Sequence, residues 1–187
     1  MSEHESNIIV IGGGISGLTT ATEAAEAGYT VTILEREPFL GGRVSRMNKY
    51  FPKLCPPTCG LEINYRRVKL NDRISVYTMS EVEKISGQAG SYEVDVKLNP
   101  RYVNDKCTGC NACTEACPVE IPNDFNAGLD KKKAAFIPTE QSFPHQYVID
   151  KSACKSDCGT KCKEACKYDA IDLDMQAETL KLKAGSM

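Results

Sequence analysis

Histidine is nearly missing from this sequence of 187 residues, which has only His4 and His145. His4 lies in a polar stretch that reads as a tail, and His145 reads as a surface or packing residue. No general acid, nucleophile or metal-hydroxide constellation is visible, which leaves redox chemistry to be sought. An excess of positive charge is missing too: 23 Lys and Arg stand against 25 Asp and Glu, for a formal charge of −2 and a pI near 5.8. That balance leaves no electrostatic footprint for nucleic acid, and the run Lys131-Lys132-Lys133 reads as a solvated turn. No apolar run approaches the roughly eighteen residues a membrane span needs, so any membrane contact is expected through a partner. The opening Met1-Ser2-Glu3-His4-Glu5-Ser6 is acidic and polar, unlike the basic start of a secretory signal.

Cysteine, by contrast, is abundant, with ten residues. Without a secretory signal, so many thiols indicate a reducing, cytoplasmic setting in which they serve metals rather than disulfides. Four of them, Cys107, Cys110, Cys113 and Cys117, follow the spacing Cys-x2-Cys-x2-Cys-x3-Cys and are followed by Pro118. Three closely spaced thiolates in one loop can reach three corners of an iron–sulfur cubane, and the fourth ligand comes from elsewhere. Gly109 and Ala112 are small enough to let the backbone curl close to a cluster. Zinc sites are usually built from two separated pairs, and three cysteines within seven residues would strain any disulfide pairing.

The N-terminal third carries a different signal. The β-branched run Asn7–Ile11 leads into Gly12-Gly13-Gly14-Ile15-Ser16-Gly17, and a helical stretch then closes at Gly28. A second strand, Thr30–Leu34, ends at Glu35, eighteen residues after Gly17. Alone, the glycine pattern G-x-G-x-x-G is weak. Here it follows a strand, opens a helix and is answered by an acid, which is the context of a dinucleotide-binding turn rather than of a plain helix start. Gly12 permits the turn, Gly14 lets the backbone approach a pyrophosphate, Gly17 lets helix and strand pack closely, and the helix start faces the phosphates. Glu35 can accept from ribose hydroxyls. Ser16 in the turn and Arg36 beside Glu35 belong to the same cofactor-binding set.

The next stretch, Leu40-Gly41-Gly42-Arg43, resembles the second glycine motif of two-dinucleotide flavoproteins, which favours FAD over nicotinamide. Gly42 and Arg43 join the cofactor-binding residues on that resemblance, with Arg43 facing either the cofactor or solvent. Cys55 and Cys59 follow, at positions similar to the redox-active pair of disulfide-reductase flavoproteins. Three readings stand for them: a dithiol exchanging electrons with flavin, ligands of a further cluster, or plain thiols. A helix is expected to start near Thr58.

Strand patterns recur at Ile74–Thr78, Val82–Ser86, Tyr92–Leu98 and Glu178–Lys183. The simplest arrangement is a three-stranded meander whose last connection holds an inserted domain. That insert contains a repeat: Tyr102-Val103-Asn104-Asp105-Lys106 returns as Tyr147-Val148-Ile149-Asp150-Lys151, and Glu115-Ala116-Cys117 returns as Glu164-Ala165-Cys166. In a two-cluster ferredoxin each run donates its last cysteine to the other run's cluster. On that plan Cys107, Cys110, Cys113 and Cys166 hold one cluster, and Cys154, Cys158, Cys162 and Cys117 hold the other. The second run departs from the pattern, with a uniform period of four and Lys167 in place of proline, so a helix bearing a cysteine stripe competes with the cluster reading. The long connection Glu120–Gln146 is expected to pack against the flavin domain or a partner.

The expected fold class is therefore α/β. It comprises an incomplete Rossmann-like FAD-binding domain of the two-dinucleotide type (1–99 and 176–187) with an inserted α+β bacterial-ferredoxin-like iron–sulfur domain (100–175). Together these motifs resemble the A-subunit family of heterodisulfide reductases. The runs Phe51–Asn64 and Cys166–Met175 are similar also to the A subunit of the quinone-interacting membrane-bound oxidoreductase complex. The resemblance implies FAD, [4Fe–4S] clusters and partner subunits of such a complex, with continuation past Met187 into further strands and a second nucleotide-binding domain. The function so implied is that of an electron-transfer flavoprotein within such an assembly. The competing readings are a docking module without turnover and an NAD(P)H-dependent ferredoxin reductase.

Overall fold

The computed structural model describes residues 3–154, 158 and 160–187, with the backbone alone for residues 3–6. The chain divides into two compact units, Met1–Pro100 with Ala177–Met187, and Arg101–Gln176.

The first unit is built on a six-stranded sheet of order β3-β2-β1-β10-β5-β4. β1 (Glu3–Ile11), β2 (Val31–Leu34) and β3 (Ile74–Tyr77) run parallel, with Ile8 opposite Val31 and Leu34 opposite Tyr77. On the other side of β1 lies β10 (Glu178–Ser186), also parallel to it. The antiparallel pair β5 (Ser91–Leu98) and β4 (Ser80–Gln88) completes the sheet. All four residues of β2 are buried, as expected of a parallel strand covered on both faces. Val94 and Val96 of β5 and Leu180, Leu182 and Ala184 of β10 alternate inward and join Ile9 and Leu34 in one apolar cluster. Helix α1 (Ile15–Glu26) buries Leu18, Ala21, Thr22 and Ala25, the spacing of one helical stripe, and α2 (Thr58–Lys69) buries Leu61 and Val68.

The expected meander is β4, β5 and β10, with the second unit inserted in its last connection, and Ile74–Tyr77 adds to β2 in parallel at the sheet edge. One sequence expectation changes here. His4 is no tail residue, since its backbone lies in β1 opposite Leu182.

The second unit has little regular structure. Two five-residue helices, α3 (Ala112–Ala116) and α4 (Lys161–Ala165), contact one another. Two small hairpins accompany them, β6 (Glu120–Pro122) with β7 (Lys131–Lys133) and β8 (Ala135–Phe136) with β9 (Val148–Ile149). The connection from Glu120 to Gln146 supplies Ala134 and Ala135 to this unit's own core. The three lysines are the strand β7 rather than a turn, and Lys132 Nζ sits 3.5 Å above the Phe136 ring. Pairing is reciprocal. Val103, ahead of the first cysteine run, bridges to Ile171 after the second, while β9, ahead of the second run, pairs with β8 after the first. The core that results contains Val103, Tyr147, Ile149, Ala170 and Ile171 together with Cys113, Cys117 and Cys162.

Candidate cofactor sites

In the first unit the chain leaves β1 at Gly12, whose φ of +103° turns it towards α1 and whose N–H donates to Leu34 O at 2.7 Å. The first bond of α1 runs from Leu18 N to Gly14 O, so the N–H groups of Ile15, Ser16 and Gly17 have no intrahelical acceptor. A Cβ on Gly17 would run into the Gly12 carbonyl oxygen. At Gly12 and Gly14 a Cβ would meet nothing within 4 Å, so the loop is open on the side where a pyrophosphate would lie.

The second glycine pair lies directly against the first turn. Gly41 N donates to Gly13 O at 2.7 Å, Gly14 and Gly41 form a parallel bridge, and a Cβ on Gly42 would stand 3.1 Å from Gly14 Cα. Gly41 has φ +105°, and the hydroxyl of Tyr65 from α2 occupies the space a side chain there would need. That hydroxyl donates to Leu40 O at 2.7 Å, and burial pushes the Tyr65 pKa up to about 12.

The Glu35 carboxylate is buried and touches the turn itself. Oε2 accepts from Gly13 N at 2.6 Å and Oε1 from Glu37 N at 2.8 Å, while Ser80 holds the Glu35 carbonyl from below. Ser16, Arg36 and Arg43 are exposed, and Arg36 lies 3.9 Å from the Glu37 carboxylate. Among the described residues neither arginine is hydrogen-bonded to the glycine turn. Cys59 is exposed in the first turn of α2, whose start at Thr58 agrees with the sequence, and Cys55 is half-buried in a bridge with Tyr50.

In the second unit all eight cysteines are free thiols, and the ends of the two runs are built alike. Cys113 and Cys162 each take the second position of a five-residue helix, and Cys117 and Cys166 each cap its C-terminus. The uniform spacing of the second run is therefore not a helical stripe: only Cys162 lies within α4, and Cys154 lies outside any helix.

An apolar cavity is lined by Cys107, Cys110, Cys113 and Cys166, with Val103, Tyr147 and Ile171 as its walls. Cys117 is not among its lining. It is grouped instead with the other run, since the charges of Cys158, Cys117 and Cys162 all act on Cys154. Each quartet of thiols thus takes its fourth member from the other run, a donor set that suits a cubane. Among the described residues no three such groups close on a single-ion position.

Burial pushes the Cys113 thiol up to about 11, and burial with neighbouring cysteines does the same to Cys154. Metal loading must therefore displace protons from these thiols. Two residues without a motif complete the first quartet's surroundings. Tyr147 donates to Asn111 Oδ1 at 2.9 Å, and Asn111 Nδ2 donates to Glu115 at 3.1 Å across α3. His145 packs on Gly109, where any Cβ would collide with its ring. Local sequence could not reveal Tyr65 or Tyr147, because each acts on residues 25 or more positions away.

No described helix is long and apolar enough to cross a membrane. Comparison with known proteins bears on both units. Residues 7–100 match the family model of FAD-dependent oxidoreductases, and residues 100–123 match that of 4Fe–4S binding domains. The whole chain is 40% identical to the A subunit of the ferredoxin:CoB-CoM heterodisulfide reductase of Methanosarcina mazei, of which it covers 24%. Over 99% of its length it is 38% identical to the iron-sulfur A subunit of the CoB–CoM heterodisulfide reductase of Methanocaldococcus jannaschii, of which it covers 28%. The chain thus spans about a quarter of the length of these relatives. Among solved structures, the thioredoxin reductase of Streptococcus pyogenes matches with a TM-score of 0.41 at 22% identity, covering 50% of this chain and 31% of that one. With the FAD-dependent oxidoreductase model matched over 7–100, half of its 187 residues, the chain belongs to that family and joins to it a 4Fe–4S binding module.

Proposed function

We propose that this chain is the electron-transfer core of a heterodisulfide-reductase-like A subunit, passing electrons between FAD and two [4Fe–4S] clusters. FAD exchanges electrons in pairs and the clusters carry them singly, which is the chemistry the cofactors supply when bound. The chain's part is to hold them. The turn Gly12, Gly14, Ser16 and Gly17 offers N–H groups to the pyrophosphate, and Glu35 orients the turn through Gly13 N while keeping lone pairs for ribose hydroxyls. Gly42, Arg43 and Arg36 border the same cradle. Cys107, Cys110, Cys113 and Cys166 ligate one cluster, and Cys154, Cys158, Cys162 and Cys117 the other. Residues 1–99 with 176–187 serve as the flavin domain and 100–175 as the ferredoxin-like one. Cys55 and Cys59 are proposed as a redox pair or extra cluster ligands beside that domain. Partner subunits of a heterodisulfide-reductase-like or quinone-interacting complex supply and remove electrons, and any membrane contact runs through them.

The observation that carries this reading is Cys166 in the cavity of the first run, with Cys117 outside that cavity and acting electrostatically on Cys154. Two variants of the full-length protein test it. About eight irons per chain are expected in the wild type, and about four in either Cys117→Ser or Cys166→Ser. EPR decides which cluster is lost: C117S must spare the centre that C107S removes, and C166S must remove it. If C117S instead abolishes the C107S-sensitive centre, each run holds its own cluster and the crossed assignment is wrong.

A further inference from the structure

We propose that Tyr65 is a positioning residue of the flavin cradle: from α2 it fixes the Leu40–Gly41 peptide against the glycine turn and so keeps that turn in register for the pyrophosphate. The proposal rests on the reading of the turn as the cradle. Leu40 O accepts from the Tyr65 hydroxyl at 2.7 Å, and Gly41 N donates to Gly13 O at 2.7 Å. That carbonyl and that N–H are the two ends of one trans peptide group and point in opposite directions, so the peptide is gripped from both sides. Gly13 O in turn shares its peptide plane with the Gly14 N–H, one of the groups assigned above to the pyrophosphate. The phenol, the 40–41 peptide and the 13–14 peptide thus stand in series, and each hydrogen bond polarises the next.

Packing holds both partners of this contact. Leu40 is fully buried, and a Cβ on Gly13 would collide with its side chain. Leu61 lies four residues before Tyr65, on the same face of α2, and would stand 3.5 Å from a Cβ at Gly41. Arg67 ties the same helix to α1, donating from Nη2 to Glu23 and from Nε to Glu26 at 2.8 Å each. Helix α2 therefore braces both the helix that the glycine turn opens and the loop that lies against that turn. With its pKa raised to about 12 by burial, the phenol remains a donor throughout the neutral range. Without the hydroxyl, the loop leaves its register in part of the population, and FAD binding must restore it, which weakens the apparent affinity.

The test is a titration of the flavin-free full-length protein with FAD, read by flavin fluorescence, for the wild type, Tyr65→Phe and Val68→Ala, with the thermal midpoint measured alongside. Y65F should bind FAD about fivefold more weakly, the effect of one neutral hydrogen bond. V68A trims a buried residue at the next turn of the same helix; it should lower the midpoint at least as much, yet keep the wild-type affinity. Unchanged affinity in Y65F, or equal weakening in both variants, overturns the proposal, the second outcome reducing Tyr65 to helix packing. If Y65F does not accumulate, amide exchange of the wild type decides. A Gly41 N–H exchanging as slowly as that of Gly12, which is bonded to Leu34 O, supports the grip, and fast exchange refutes it. A wild type that takes up no FAD overturns the cradle reading itself, and this proposal with it.

Discussion

Both oxygens of the Glu35 carboxylate already accept a backbone N–H, so this acid shapes the glycine turn in addition to its proposed role towards a cofactor. The acid's presence was readable from its place at the end of a strand, but its bond to Gly13 was not, because spacing carries no information about which lone pair is in use. Gly17 is the residue whose role was most fully legible: its contact with Gly12 follows from the local motif alone. Gly17→Ala should drive α1 from the turn, costing about 2 kcal/mol or more because the obstacle is backbone, and bound flavin per purified chain should fall sharply. Flavin retained at wild-type stoichiometry would show that the helix can shift without opening the cradle. Arg101 and Tyr65 lie at the other extreme. Their partners are Gln146 and Leu40, and only the completed fold brings them together.

Five residues are too few for a helix to persist alone in water, so α3 and α4 exist because their surroundings fix them. Side-chain bonds brace α3 at its start and its middle, from Tyr147 to Asn111 and from Thr114 Oγ1 to Ala135 O at 2.7 Å. Tyr147→Phe removes one such bond, worth about 1 kcal/mol net, while leaving the ring in the cavity wall. The variant should assemble its clusters but lose the iron–sulfur absorbance severalfold faster in air than wild type, with the C107S-sensitive centre going first. These elements also mark the limit of sequence reading. The repeat in the chain pointed to two like half-sites, and the structure repeats the helix positions of Cys113 and Cys117 in Cys162 and Cys166. Short hairpins such as β6 with β7 have no periodicity to read, and the parallel pairing of β3 with β2 was not legible because its four residues fit either strand direction.

Taken whole, the chain is two units with separate cores, one of aliphatic side chains and one in which three cysteines are themselves core residues. Stripping iron with a chelator under anaerobic conditions should therefore act unequally. Unit Arg101–Gln176 should become sensitive to protease and lose near-ultraviolet dichroism, since its core loses cross-links that the thiols alone do not replace. The sheet unit should keep its secondary structure and its flavin. Simultaneous collapse of both would show that the sheet depends on the clusters. The division into a sheet and an insert was legible as a break and resumption of strand pattern, whereas the parallel seam between β1 and β10 was not, because its partners are separated by almost the whole chain.

That seam bears on how the protein is made. β10 sits inside the sheet, flanked by β1 and β5, yet it is translated after every one of the eight iron-binding candidates. While the ribosome works through Arg101–Gln176, β1 waits with one edge unpaired, a template for pairing with other chains. Domains emerging from the ribosome fold as units, so the segment that takes up iron is fully exposed before the nucleotide sheet can be finished. The life of that open edge is set by the time needed to translate the insert, whatever the state of its thiols.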